Sequence, residues 1–475
     1  MGERLQNFID GRFVPAHGAG VFEVISPVTG EQVALSPVSG TGDVEAAFAA
    51  ASGAFATWKA VTPSQRQKHL LALADAVEAH ADELVEAQHR NTGQPRAIIA
   101  AEEVAAGADQ LRFFAGAARM LEGRAAAEYM EGHTSYVRRE PVGVIAQITP
   151  WNFPLMMAIW KIGPALAAGN TVVLKPSETT PESTLVLARL AGEIFPAGVV
   201  NVVLGDASTG ALLSQHPSAV MVSLTGSVRA GEAVASQAGL KRTHLELGGK
   251  APAVVFGDVD LGATAKALVE FGTFNAGQDC TALTRVLVED AVHDELVEHL
   301  VAAAQATVTG EADEAKNDYG PLNNARHFAS VKARVESLPQ HARIVTGGRA
   351  VQGSAGFFFE PTIITGVKQS DAIVQEETFG PVITVQSFSS EQEALELANG
   401  VDYALASSVW TTDGARALRF TRDLDFGCVW VNTHLLLVAE MPHGGFKSSG
   451  HGKDLSGYAV EEYTRVKHVM HALGV

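Results

Sequence analysis

The sequence is poor in cysteine: among 475 residues only Cys280 and Cys428 carry a thiol. That excludes a disulfide framework and suits a reducing compartment, the cytoplasm. Basic side chains are in deficit too, 35 against 53 acidic, for a formal net charge of -18. So acidic a chain is not expected to track nucleic-acid phosphates or to adhere to an anionic membrane. Within the first ten residues Glu3, Arg4 and Asp10 leave no apolar core of signal-peptide length. One charge-free stretch, residues 141–160, is broken by Pro141, Pro150 and Pro154 and by Gln147, Thr149 and Asn152, so no membrane helix is expected there. The histidines fall in no spacing that resembles a zinc site, and no metal is expected. Also missing is a Gly-x-Gly-x-x-Gly run behind a strand, the usual dinucleotide fingerprint.

What the chain does have is apolar content throughout, 47%, and a length beyond one usual domain. Two large domains, or a domain with appendages, follow. Residues 1–40 alternate short apolar runs with Asp10-Gly11, Thr29-Gly30 and Ser39-Gly40, the pattern of short strands and hairpins. From Thr62 and Pro63 the spacing of Leu70, Leu73, Val77, Ala81, Leu84 and Val85 predicts a helix closed by Gly93. A second helical region spans about residues 98–121. Beyond residue 141, β-branched runs at 142–148, 171–174, 199–204, 220–224 and 253–256 alternate with helical stretches at 182–194 and 228–237. Such alternation implies a parallel sheet with helices on both faces, binding its ligand at the carboxyl ends of the strands. Runs at 286–288, 344–345, 382–385 and 429–431 imply a second α/β domain.

Two segments carry most of the chemistry. Leu245-Glu246-Leu247-Gly248-Gly249-Lys250 sets a carboxylate against a turn where backbone can approach a ligand closely. Gly277-Gln278-Asp279-Cys280 offers a nucleophilic thiol behind a flexible glycine. A carboxylate near a thiol can act as base for water or for the thiol itself. Lys175-Pro176-Ser177-Glu178, just past a strand, suits ribose hydroxyls, or is simply an exposed charged turn. Leu224-Thr225-Gly226-Ser227 opens a helix, where bare amides suit a pyrophosphate; an ordinary serine cap explains it equally well. Gly205 and Gly210 form a looser glycine pair after 199–204. In Thr149-Pro150-Trp151-Asn152-Phe153-Pro154 the prolines stiffen a loop that presents Asn152, either as an oxyanion donor or as a turn cap.

These motifs, together with Glu377-Thr378-Phe379-Gly380-Pro381-Val382, resemble the NAD(P)-dependent aldehyde dehydrogenase superfamily, in family order and over nearly the whole chain. Further segments, among them Glu131-Gly132-His133-Thr134-Ser135, Lys241-Arg242-Thr243-His244 and Glu440-Met441-Pro442-His443-Gly444-Gly445, are similar to the aminobutyraldehyde branch of putrescine degradation. Betaine-aldehyde and other aminoaldehyde branches look much alike there. The resemblance implies an α/β fold in three parts: a Rossmann-like coenzyme domain (1–122 and 140–246), a catalytic domain (247–445), and a small β oligomerisation element with the C-terminal tail (123–139 and 446–475). It implies a homotetramer, a dimer of dimers, with a small aldehyde as the other partner. Cys280 would attack the aldehyde, the Asn152 amide and the Cys280 N–H would hold the oxyanion, and Glu246 would activate water. NAD would be held by Ile148, Thr149, Pro150, Trp151, Lys175, Ser177, Glu178, Gly205, Gly210, Gly226, Ser227, Leu247, Gly248, Glu377 and Phe379. The Glu178 charge disfavours a 2′-phosphate and so NADP. Substrate contacts would come from Asp109, Phe153, Met157, Trp160, Asp279, Thr281, Trp430 and Glu440, with Cys428 structural. The expected reaction is 4-aminobutanal to 4-aminobutanoate. Betaine aldehyde or aliphatic aldehydes are the alternatives, and a non-enzymatic use of the fold is a remote one.

Overall fold

The computed structural model describes residues 3–18, 20–311 and 313–474. Five parallel strands form the heart of the first sheet, in the order Arg242–Glu246, Ala219–Thr225, Val144–Ile148, Thr171–Lys175, Val200–Val202. The antiparallel strand Gly450–His451 extends one edge, and the hairpin Asn7–Ile9 and Arg12–Val14 extends the other. Chain order reverses between Val144–Ile148 and Ala219–Thr225, which makes the cleft between their carboxyl ends the topological switch point. The β-branched runs are buried on both faces: Ile145, Val172, Val173 and Val222 have no solvent exposure. Each such side chain contributes about 1.5–3 kcal/mol on burial.

The second sheet runs Arg343–Thr346, Thr362–Thr365, Val382–Phe388, Leu283–Glu289, Ala251–Val255, Ala406–Trp410, Cys428–Val431, parallel except at its first edge. The run at 253–256 therefore belongs here and not to the first series. The chain first passes from the first sheet to the second through the four residues 247–250, leaving the first at a strand's carboxyl end and entering the second at a strand's amino end. A third, antiparallel sheet joins Thr464–Ala472 to His133–Pro141 over nine residue pairs, with Ala127–Met130 beyond. Tyr129, Met130, Val466 and Met470 are exposed on it.

Thr62 caps its helix as expected, accepting the Gln65 N–H, and Gly93 closes the series in the left-handed region at φ 69°. The single helix expected over 62–93 is however two, Pro63–Ala79 and Ala81–Thr92, broken at His80. Apolar periodicity does not see the break, because Leu70, Leu73, Leu84 and Val85 all face the same core. Several helices go unmarked by the sequence pattern, two of them for a physical reason that the structure makes plain. Thr41–Trp58 also exposes Ala46, Ala49 and Ala56 to solvent, so its apolar face contrasts little with the rest. Pro154–Ala168 is apolar all round and buried nearly throughout, so it lacks an amphipathic period. Among the described residues no helix is long and apolar enough to cross a membrane.

Candidate active site

At the switch point the first sheet offers backbone and aromatic groups. Thr149 N–H donates to the Lys175 carbonyl (3.1 Å), tying the loop after Ile148 to the neighbouring strand. The hydroxyls of Thr149 and Thr225, one at each strand end flanking the cleft, are buried without a hydrogen-bond partner among the described residues. Buried hydroxyls in that state are expected to meet a ligand or water. Lys175 Nζ donates to the Pro176 and Gly205 carbonyls (2.9 and 2.8 Å) and lies 3.7 Å from the half-buried Glu178, while burial lowers its pKa. Ser177 pairs with Thr179 (3.2 Å). Gly205 is required by space, since a Cβ there would sit 2.0 Å from Thr209 Oγ1; Gly210 packs on Ile148 and Lys175. Ser227 caps the helix Val228–Ala238 through the Ala230 N–H (3.3 Å), and Gly226 N–H donates to the Glu246 carbonyl (3.0 Å). The ordinary cap is thus realised, at a helix end that opens on the cleft.

The glycine turn after Glu246 is shaped by what lies over it. A Cβ on Gly249 would be 2.1 Å from the Cys280 carbonyl oxygen, and one on Gly248 would be 2.5 Å from the Glu377 carboxylate. Leu247 is buried, its N–H bonded to the Ser449 carbonyl (3.1 Å). Glu377 Oε1 accepts the Gly249 N–H (2.8 Å). Burial pushes the Glu377 carboxyl up to about 7, with that N–H and Lys250 pulling the other way. Phe379, at φ 56°, sets its ring edgewise on Trp151 (5.3 Å). His327 carries no signal in the sequence. It packs at a tilt against Trp151 (5.0 Å), and its Nε2–H donates to the Phe379 carbonyl (2.7 Å); burial lowers its pKa to about 4, so the ring is neutral.

The loop bearing Cys280 is held in a costly shape. Asn275 and Ala276 have φ of 48° and 57°, each worth about 1–3 kcal/mol of strain. Buried amides hold it there. Gln94 Nε2 donates to the Asn152 carbonyl and to Asn275 Oδ1 (both 2.9 Å). Asn275 Nδ2 donates to the Asn152 carbonyl (3.0 Å) and Gln278 is gripped by Pro321 and Asn323. Asn152 Nδ2 donates to the Gln278 carbonyl (3.0 Å), which locks the side chain and leaves its second amide hydrogen uncommitted among the described residues. Neither Gln94 nor Asn275 is expected from the sequence; a lone buried amide has no signature there.

Cys280 Sγ, a carboxylate oxygen of Glu246 and a ring nitrogen of His443 all lie within 4.8 Å of one another. Cys280 is half-buried, the other two are buried. Burial first, then the Glu246 and Asp279 charges, raises the thiol pKa well above its usual value. The resting sulfur is therefore protonated, with a carboxylate oxygen within 4.8 Å of it. Glu246 Oε1 is 3.5 Å from His443 Nε2. His443, which enters the sequence reading only within a branch-specific segment, is thus a site residue whose chemistry the sequence does not reveal. It is placed by backbone hydrogen bonds to Asp454 (2.9 and 2.7 Å), itself paired with the buried Lys161 (2.9 Å). Its ring meets Trp160 edgewise (5.3 Å), and Trp160 Nε1 donates to Gln110 Oε1 (2.8 Å).

Of the expected substrate residues, Phe153, Met157 and Trp160 are buried in the core beside this cluster. Asp279 Oδ1 accepts both the N–H and the hydroxyl of Thr281 (2.7 Å each), so these two groups chiefly satisfy each other. Trp430 donates to the Leu436 carbonyl (2.9 Å) and packs on His434 (4.6 Å). Asp109 and Glu440, also expected among the substrate contacts, stand on the surface. Both are exposed and neither makes a hydrogen bond or ion pair among the described residues; the buried partner of Trp160 is Gln110, next to Asp109 on the inward side of its helix.

A doubly wound sheet whose switch point opens on a thiol, a carboxylate and a locked amide defines a two-domain dehydrogenase of the thiol-dependent kind. The profile of the Aldehyde dehydrogenase family matches residues 13–469. Betaine aldehyde dehydrogenase of Bacillus subtilis (strain 168) is 39% identical over 476 residues, covering 97% of this chain and 96% of that protein. A variant of Staphylococcus aureus betaine aldehyde dehydrogenase solved with NAD+ superposes with TM-score 0.96 at 34% identity, over 99% of this chain and 98% of that one. Another structure of that enzyme with NAD+ gives TM-score 0.96 at 34% identity, over 99% and 95% of the two chains. The chain belongs to the aldehyde dehydrogenase family and is an aldehyde-oxidising enzyme.

Proposed function

We propose that this protein is a cytoplasmic NAD-dependent dehydrogenase of short cationic aminoaldehydes, with 4-aminobutanal the first substrate. The observation that carries the chemistry is the convergence of Cys280, Glu246 and the Asn152-locked loop on one point of the cleft. The residues also fit a dinucleotide: the unpartnered Thr149 and Thr225 hydroxyls, the Lys175–Glu178 pair, the Trp151–Phe379 aromatic edge and the buried Glu377 are the polar and aromatic groups that such a ligand takes up. NAD, when bound, supplies the hydride acceptor.

Cys280 sulfur adds to the aldehyde carbon, and the thiol proton leaves to solvent, so that Glu246 stays ionised for the later step. The free Asn152 amide hydrogen and the Cys280 N–H hold the oxyanion, each donor contributing about 3–4 kcal/mol. After hydride loss the carbon remains bonded to sulfur as a thioester. Glu246 then takes a proton from the attacking water, the carbon–sulfur bond breaks, and the acid departs as Cys280 regains a proton.

The amine end of the substrate is supported by the branch-specific segments and by relatives named for betaine aldehyde, another cationic aldehyde. Aromatic faces at Trp160 and Trp430 suit an ammonium. Those same relatives favour betaine aldehyde as a second reading. The test is kcat/KM with 4-aminobutanal, betaine aldehyde and butanal, the last matching chain length without the amine. An amine-reading pocket gives 4-aminobutanal at least about tenfold over butanal. Equal values for those two remove the aminoaldehyde reading, and a betaine aldehyde value above 4-aminobutanal moves the assignment to the second. A homotetramer is part of the same reading, supported by the exposed apolar groups and the one-sided pairing of Thr464–Ala472.

A further inference from the structure

Glu246 is the least satisfied acid of the site. It is 2% exposed, yet neither carboxylate oxygen accepts a hydrogen bond among the described residues. A buried carboxylate without a partner is costly, and a cation or a proton is what relieves it. His443, 1% exposed, has an Nδ1 with no partner among the described residues and an Nε2 3.5 Å from Glu246 Oε1; with its proton on Nδ1, the ring offers the Nε2 lone pair to a cation that the carboxylate shares. The half-buried Cys280 sulfur completes the group within 4.8 Å. Carboxylate, imidazole and thiolate together are the ligand set of zinc rather than of magnesium or calcium.

We propose that the resting enzyme binds one Zn2+ ion between Cys280 Sγ, His443 Nε2 and a Glu246 oxygen, with the fourth tetrahedral position left to water. Metal–ligand bonds of about 2.0–2.3 Å set tetrahedral ligand atoms roughly 3.3–3.7 Å apart. The Glu246–His443 pair already stands at 3.5 Å, inside that range, and the sulfur lies within 4.8 Å of both. Coordination replaces the S–H bond with an S–Zn bond and the thiol proton leaves to solvent. The three residues are scattered along the chain and come together only because the Glu246 strand end, the Cys280 loop and the segment paired with Asp454 meet at one place. That the ion blocks turnover rests on the roles proposed for Cys280 and Glu246; that it binds does not.

The experiment therefore reads binding without aldehyde or coenzyme. Full-length protein stripped with a chelator is titrated with Zn2+, the retained metal is counted after gel filtration, and Co2+ is used as a coloured substitute. Wild type should hold one ion per chain and give a cobalt–thiolate charge-transfer band. Cys280→Ser should lose the band. His443→Phe and His443→Gln, the second a polar substitute of similar reach, should each weaken Zn2+ binding at least about tenfold, equivalent to about 1.4 kcal/mol. In activity assays Zn2+ should compete with the aldehyde, and a chelator should restore the rate. Zn2+ affinity unchanged in both folded His443 variants would mean capture by the thiol alone and would overturn the site, as would failure of wild type to retain the ion.

Discussion

The first sheet meets its ligand with carboxyl strand ends, the second with amino strand ends, and the two are built on different physical terms. Around the switch point the groups are relaxed: Ser227 caps its helix, Lys175 is held by two carbonyls, and the glycines serve space rather than strain. On the opposite side Asn275, Ala276 and Phe379 all sit at positive φ, and the loop keeps its shape only because buried amides from elsewhere hold it. A site that binds by hydrogen bonds can be assembled from regular structure. A site that must aim one sulfur needs a backbone that would not stay in place alone.

The contrast is broken most sharply by the nucleophile. Cys280→Ala should lower aldehyde oxidation by at least about 10^4-fold while NAD affinity stays within about twofold, because the sulfur is no coenzyme contact. NADH formation and a coenzyme titration on the same sample check both halves; a large loss of NAD binding would show the two sides to be one unit. Next in size, Glu246→Gln spares sulfur attack if water is the main recipient of its help, and should give a burst of NADH followed by turnover slowed about 10^2–10^4-fold. Wild-type steady turnover in that variant would remove Glu246 as the hydrolytic base.

Gln94→Ala tests the strained side alone. It removes three buried hydrogen bonds, two donated by Nε2 and one accepted from Gln88, so kcat should fall by about tenfold or more with a loss of about 1–3 kcal/mol in stability, and NAD binding should hold. A fall in NAD affinity equal to the fall in kcat would place the amide network on both sides. The smallest effect is one of pH. With the Glu377 carboxyl raised to about 7 by burial, it is protonated below that pH and charged above it. If the charged form accepts a ribose hydroxyl, NAD affinity should rise as pH climbs through about 7 and then level. Glu377→Gln should flatten that profile, and a slope surviving in the variant would belong to another group, with Lys250, lowered to about 7 by burial, the first to examine.

Much of this architecture is legible in the amino-acid sequence. The alternation of β-branched runs and helices after residue 141 marks both sheets, since strands buried on both faces must be continuously apolar. Glu246, Cys280 and Asn152 stand in motifs whose glycine and proline neighbours advertise an unusual backbone. Hidden are the features that depend on what folds against a residue. Pro154–Ala168 has no polar face to betray its period, and the break at His80 leaves the core-facing pattern intact. Gln94, Asn275 and His327 are single polar residues whose meaning comes wholly from distant partners. His443 stands inside a branch-specific segment and still gives no chemical signal, because its neighbour Glu246 lies far away in the chain.

The amide lattice around Gln94, Asn152, Asn275, Gln278 and Asn323 also has a consequence in time. Its members come from both halves of the molecule, so no stretch of local sequence can complete it, and contacts of such long range form late in folding. A chain with both sheets formed but not yet docked would already possess its cysteine, its glutamate and a coenzyme groove, yet its sulfur would point nowhere in particular. Recovery of activity during refolding is therefore a clock for the final docking step, whereas recovery of secondary structure marks only the earlier ones.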